Sequence, residues 1–173
     1  KPPAAVAERL PLKVDPMVFY GETPNADLLP PAEDKPLIAT NLIATLTTEL
    51  ESELFWQAVP LEAECRSALE EACEEHGVPV SLVLGVIYVE SRFDPEADNG
   101  ISYGLIGLNK TYYPADLNPA ENIRAGVAHL VGQIERYDGD IQAALRSYNR
   151  GFDDGDRRYA RAVLDASEKW GKG

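Results

Sequence analysis

The most constraining feature is an uncharged run, Val80–Val89, that ends abruptly at Glu90. Ten residues pass without a formal charge, then a carboxylate follows, then Ser91. A segment apolar on nearly every side can only be a helix at the centre of a domain. A carboxylate fixed to the end of such a helix is desolvated, which costs free energy unless a partner or a function compensates. The same desolvation raises a carboxyl pKa toward neutrality, as a general acid requires.

The surroundings of this run also read as helical. Cys65, Ala68, Leu69, Ala72 and Cys73 recur at the spacing of one helix face. Gly77 supplies a stop and Pro79 helps to open the next helix. Phe93–Gly100 is turn chemistry, and Ile101–Asn109 is an irregular loop or a small strand pair. Asn118, Pro119 and Glu121 make a helix start with an N-cap, a proline at N1 and a glutamate reaching back. Ile123, Val127, Leu130 and Ile134 continue it. Asp140 caps a further helix with Ile141, Ala144, Leu145 and Tyr148 on one face, and Gly151 ends it. Tyr159, Val163, Ala166 and Trp170 form the stripe of a last helix. The expectation is a mainly α domain over 61–173, with a buried central helix and at most a small strand element.

Residues 1–60 read differently. Of the chain's 13 prolines, 8 fall within the first 36 residues. This segment is expected to be a Pro-rich extended arm or linker, with Leu37–Leu54 able to form a helix or strand against the domain.

A net charge of −13 over 173 residues excludes a basic stripe for nucleic acid. Val80–Val89 is about half the length that crosses a bilayer. The chain begins at Lys1, so a signal or membrane anchor upstream remains open. Cys65 and Cys73 stand roughly 12 Å apart on one helix, beyond disulfide reach, and read as small buried hydrophobes. His76 and His129 have no companions at ligand spacing, so neither a metal nor a cofactor is expected.

Glu90 shares a helix face with Val83, Val86 and Ile87. Around it the sequence offers the Ser91 hydroxyl, Tyr103 beside the small Gly104, and the Tyr148 phenol beside the Asn149 amide. Such polar, aromatic and small groups suit an extended sugar polymer. Each alone is also compatible with a structural role, Tyr148 as core and Asn149 as part of a helix C-cap.

Together the motifs resemble a known family. Glu90-Ser91 with Pro95, then Tyr103-Gly104-Leu105, then Asn118-Pro119 with Asn122, then Tyr148-Asn149 with Gly151 stand in the order found in the soluble lytic transglycosylases of the lysozyme-like superfamily, relatives of the goose-type lysozymes. The resemblance covers about 61–170. It implies a lysozyme-like fold and cleavage of the β-1,4 bond between N-acetylmuramic acid and N-acetylglucosamine in peptidoglycan. Glu90 would be the single general acid/base, and the muramic 6-hydroxyl would close a 1,6-anhydro ring. Ser91 would contact the acid or the substrate, Tyr148 would lie against the carboxyl, and Leu105 and Asn149 would line the cleft. The family's usual Gln is Gly107 in this chain, so Asn109 or another residue would supply the missing amide.

Two other readings stay open. A muramidase would hydrolyse the same bond with a second acid such as Asp98, whereas goose-type lysozymes look like having Asp where this chain has Asn109. A non-catalytic wall-binding module would keep the fold without the reaction. In every case the partner is the peptidoglycan glycan strand, met by a monomer outside the cell or in its envelope. Arg92, Arg146 and Arg150 would offset the acidic surface near the cleft.

Overall fold

The computed structural model describes residues 34–171, with side chains from residue 39 onward. Backbone contacts divide the chain into two units, Lys1–Leu46 and Thr47–Gly173. Of the Pro-rich arm expected over residues 1–60, residues 1–33 lie outside the described residues. From Asp34 the chain is a helix, α1 (Asp34–Gln57), the helical one of the two alternatives open for Leu37–Leu54. Pro36 falls in its first turn, where the missing N–H would have had no helical partner. In the first unit the side chains of Leu42 and Leu46 are exposed.

The second unit is helical, with α2 (Ala63–His76), α3 (Val80–Glu90), α4 (Pro119–Arg136), α5 (Ile141–Arg150) and α6 (Arg157–Ser167). One small antiparallel sheet joins β1 (Ser102–Tyr103) to β2 (Leu108–Asn109), with Ser102 opposite Asn109 and Tyr103 opposite Leu108. The helix ends follow their local chemistry. Gly77 is left-handed and returns its N–H to the Cys73 and Glu74 carbonyls, while Asn118 and Glu121 form a reciprocal capping box. The Asp140 side chain accepts from the Ala143 N–H, and Gly151 closes α5 in the left-handed region.

The core gathers around α3, whose Leu82–Ile87 segment is buried throughout. Helix α3 packs against α6 and α2, α2 against α4, and α5 against both α4 and α6. Val83, Leu84, Val86 and Ile87 have no exposed surface, and each contributes about 1.5–3 kcal/mol by leaving water. Trp56 and Val59 also enter this core, so the apolar packing begins before residue 61. Cys65 and Cys73 are free thiols buried among these residues, and burial pushes the Cys73 thiol up to about 12.

Gly85 sets how closely α3 and α6 approach. A Cβ at this position would lie 2.6 Å from the Val163 carbonyl oxygen and 3.1 Å from the Ser167 backbone nitrogen. Backbone cannot swing aside, so Gly85→Ala has to part the two helices. Thermal and denaturant unfolding should show a loss of about 1–3 kcal/mol. A variant as stable as the parent would mean that the helices approach less closely than this.

Candidate active site

Glu90 is the last residue of α3, and the turn after it is unusual. Arg92 and Phe93 both adopt left-handed backbone, with φ of 57° and 68°, without being glycine. The Ser91 hydroxyl holds this turn. Its Oγ donates to the Leu105 carbonyl at 2.8 Å, lies 3.1 Å from the Ile87 carbonyl, and accepts from the Phe93 N–H at 3.1 Å. Ser91 is therefore buried and committed to backbone, and lines neither cavity beside Glu90. The serine expected beside the acid as a contact is instead the clasp that ends the helix at Glu90 and ties it to the loop between β1 and β2.

That loop, Gly104–Gly107, forms one wall of the site. Asn122, buried in α4, braces it from behind: Oδ1 accepts from the Ile106 N–H at 3.1 Å, and Nδ2 donates to the Tyr103 carbonyl at 3.3 Å. Leu105 is 1% exposed and points into the core, so the expectation that it lines the cleft is corrected. Its apolar side chain gains more from the core than a wet groove offers. Gly107 lies against the acid. With φ of 69°, a Cβ there would fall 2.4 Å from Glu90 Oε2 and 2.8 Å from Cδ. The backbone at 107 and the carboxylate occupy one space, which only the absence of a side chain permits.

The opposite side of the carboxyl is held by a residue that the sequence reading placed in a core stripe. Tyr159, on α6, donates its phenol to Glu90 Oε1 at 2.5 Å. Tyr148, expected to lie against the carboxyl, lines the cleft together with Glu90 and feels its charge, but its phenol donates to the Ile106 carbonyl at 2.8 Å. The reason is geometric: α5 ends beside the 104–107 loop, whereas α6 packs directly on α3. Burial raises the Glu90 carboxyl above its ordinary value, and the Tyr159 hydrogen bond partly opposes the rise. Burial, and then the charge of Glu90, push the Tyr148 and Tyr159 phenols well up, so both stay protonated donors.

Glu90 looks into two adjoining cavities. The larger, about 440 Å³, is lined by Asn109, Tyr112, His129, Tyr148 and Asn149. The smaller, about 240 Å³, is lined by Asp98, Tyr103 and Gly104. Glu90, Ser102 and Gly107 border both, so open space runs to either side of the carboxylate. An elongated ligand can pass over the acid. Of the proposed sugar-contacting groups, Tyr103, Gly104, Asn109, Tyr148 and Asn149 are thus gathered around it, while Ser91 and Leu105 are not. The Tyr103 phenol donates to the Pro114 carbonyl, and Asn109 Oδ1 accepts from the Thr111 N–H.

Besides Tyr159, further aromatic side chains reach the site that the sequence does not mark for it. Tyr112 is 79% exposed at the edge of the larger cavity. His129 stands between the rings of Tyr113 and Tyr148, with centroids 5.9 and 5.1 Å away, and burial lowers its pKa, so it is neutral. An exposed aromatic in a loop of turn residues was the available signal for Tyr112; nothing local marked His129 or Tyr159.

Asp98 is spoken for. Both its oxygens accept from Lys110 Nζ, at 2.7 and 2.6 Å, and Oδ1 also accepts from the Gly100 N–H. The Lys110 ammonium holds its carboxyl below the ordinary range. Among the described residues no cluster of His, Cys, Asp or Glu is arranged to hold a metal, and no helix is long and apolar enough to cross a membrane.

Residues 67–169 match the family model for the Transglycosylase SLT domain. The chain belongs to this family. Within it, the SLT domain described here is 35% identical over 101 residues to a membrane-bound lytic murein transglycosylase F of Desulfosudis oleivorans, covering 50% of this chain and 22% of that protein. It is 33% identical over 95 residues to the peptidoglycan transglycosylase gp16 of Escherichia phage T7, covering 47% of this chain and 7% of that one. Its fold resembles the crystal structure of an inactive mutant of the lytic transglycosylase Slt from Pseudomonas aeruginosa, with a TM-score of 0.54 at 22% identity over 66% of this chain and 24% of that one. The chain therefore spans about a quarter or less of the length of these relatives.

Proposed function

We propose that this SLT domain is a peptidoglycan lytic transglycosylase working in the cell envelope, with Glu90 as its only general acid/base. The observation that carries this reading is the state of Glu90. Its half-buried carboxyl has a raised pKa, is positioned by Tyr159, and is open to a cavity on each side. Protonated Glu90 gives its proton to the glycosidic oxygen as the bond to the muramic anomeric carbon breaks. The carboxylate left behind takes the proton from the muramic 6-hydroxyl as that oxygen attacks the same carbon. The 1,6-anhydro ring closes, the enzyme regains its proton, and no water enters.

The disposition of the other acids favours this route over hydrolysis. A hydrolase needs a second carboxylate to activate water or to attack the sugar. Glu90 is the sole carboxylate lining the larger cavity among the described residues. Asp98 borders the smaller one but is bound on both oxygens and kept ionised by Lys110. Asn109, an amide, cannot act as a base.

The test is product analysis. Purified protein incubated with peptidoglycan should release muropeptides with 1,6-anhydro ends, seen by mass spectrometry as a mass lower by one water than the hydrolysis product. Reducing ends would identify a muramidase, and binding without release would identify a wall-binding module.

Tyr159→Phe tests the positioning of the acid. Removing the phenol deletes a hydrogen bond that favours the Glu90 carboxylate, so the Glu90 pKa rises further. An acid must be protonated to act, and the alkaline limb of kcat/KM should therefore move to higher pH. The rate at the optimum should fall about tenfold, as the carboxyl loses its anchor. An unmoved limb would show that Tyr159 does not hold the acid during turnover.

A further inference from the structure

Arg150 lies at the end of α5 and borders two cavities at once. One is the cleft beside Glu90; the other, about 280 Å³, opens between Arg146, Asn149, Asp154, Arg158 and Tyr159. Three guanidinium groups face this second cavity, and they differ in how they are engaged. Arg146 donates to both oxygens of Asp153, at 2.5 and 2.8 Å. Arg158 grips Asp156 in the same two-pronged way, with contacts from 2.5 to 3.0 Å. Arg150 is set apart from both. Its ion pair is with Asp154 at 3.8 Å, beyond hydrogen-bond length, and its side chain is 54% exposed. Asp154 itself is occupied in part, accepting from the Asp156 N–H at 2.9 Å.

Among the described residues Arg150 is thus a cation with unused donors beside two guanidinium groups that are already paired. Arg92, which follows the end of α3, is stacked over the Tyr88 ring at 4.0 Å and borders neither cavity. The planar fork of a guanidinium fits a carboxylate through two parallel hydrogen bonds. In a chain of net charge −13, such a local cation is what allows an anionic ligand to approach.

We propose that Arg150 binds a carboxylate of the peptide substituent carried by the muramic acid, making this domain selective for peptide-bearing over stripped glycan strands. This rests on the reading of Glu90 as the acid that cleaves at muramic acid. The sugar rings of the strand are neutral, whereas the peptide attached through the lactyl ether carries free carboxylates. Because the cleaved bond begins at the muramic residue, its peptide leaves the cleft near Glu90, and the second cavity gives it a route past Asn149 and Arg150. The incoming carboxylate displaces Asp154, which holds Arg150 only loosely.

The experiment compares peptidoglycan strands with intact peptides against strands freed of peptide by an amidase, reading kcat/KM for each from anhydro-muropeptide release. The ratio of peptide-bearing to stripped should fall about tenfold in Arg150→Ala, mostly through KM, equivalent to about 1.4 kcal/mol. Arg150→Lys should recover part of it, since a point charge lacks the fork. Asp154→Asn should raise the ratio severalfold by freeing Arg150, and Asp165→Asn, on the exposed face of α6, should leave it alone. The proposal is overturned if Arg150→Ala leaves the ratio unchanged, or if Asp154→Asn lowers it. If the parent protein releases nothing from either substrate, the catalytic reading fails on its own. The same ratio is then read from co-sedimentation with intact and stripped walls, and must still fall in Arg150→Ala.

Discussion

Glu90→Gln should reduce the release of 1,6-anhydro muropeptides by at least about 10³-fold, because one side chain both gives and recovers the proton. The amide keeps the shape of the carboxyl and can still accept from Tyr159, but it can neither donate an acidic proton nor act as a base. The effect should lie in kcat, with binding to the wall retained. The stability of the variant is equally informative. The folded Glu90 carboxyl has a pKa raised by burial above its ordinary 4.5. Ionisation is then harder in the folded than in the unfolded chain, so the parent protein loses stability as pH rises from 4.5 through the raised value. Gln carries no charge and escapes this loss. Glu90→Gln should therefore melt at the same or a higher temperature than the parent at neutral pH, and the difference should close at acid pH. Retained lytic activity would remove Glu90 from the mechanism. A variant that melts lower at neutral pH would show that the acid stabilises the fold.

Gly107→Ala should lower kcat by about 10²-fold while leaving the products unchanged. A methyl group at 107 would meet Glu90 Oε2 at 2.4 Å, Cδ at 2.8 Å and Cγ at 3.0 Å. The carboxyl is the movable partner, so it swings away and breaks the 2.5 Å contact with Tyr159. The new residue also has to sit at φ 69°, which costs an L side chain about 1–2 kcal/mol. Gly139→Ala separates the two effects. Gly139 has φ 86° and nothing within 4 Å of its would-be Cβ, so it suffers the backbone strain without the collision. It should lose comparable stability in thermal melts yet keep its kcat. Equal kinetic losses in the two variants would assign the effect to general destabilisation.

Gly107 also shows where reasoning from residue patterns alone falls short. Set against the family's usual Gln it looked like a missing amide. In the fold it is the clearance that lets the acid lie against the loop. Ser91 and Leu105 depart from expectation for a similar reason, since adjacency to a site residue in the chain says nothing of which way a side chain faces. Ser91 turns inward to backbone carbonyls, and Leu105 to the core.

What the chain alone determined is local. The uncharged run made α3 the buried centre, the Asn118–Glu121 box started α4, Asp140 and Gly151 bounded α5, and the break in the apolar run marked Glu90. Each depends on residues within about one or two helical turns of one another, where spacing maps directly onto space. Only the tertiary structure decided who attends the acid. Tyr159 stands 69 positions from Glu90 and reaches it because α6 packs on α3. Apolar periodicity reports that a face is buried, not against what. The partner of Glu90, the commitment of Asp98 to Lys110 and the loose hold on Arg150 all follow from how helices and loops meet.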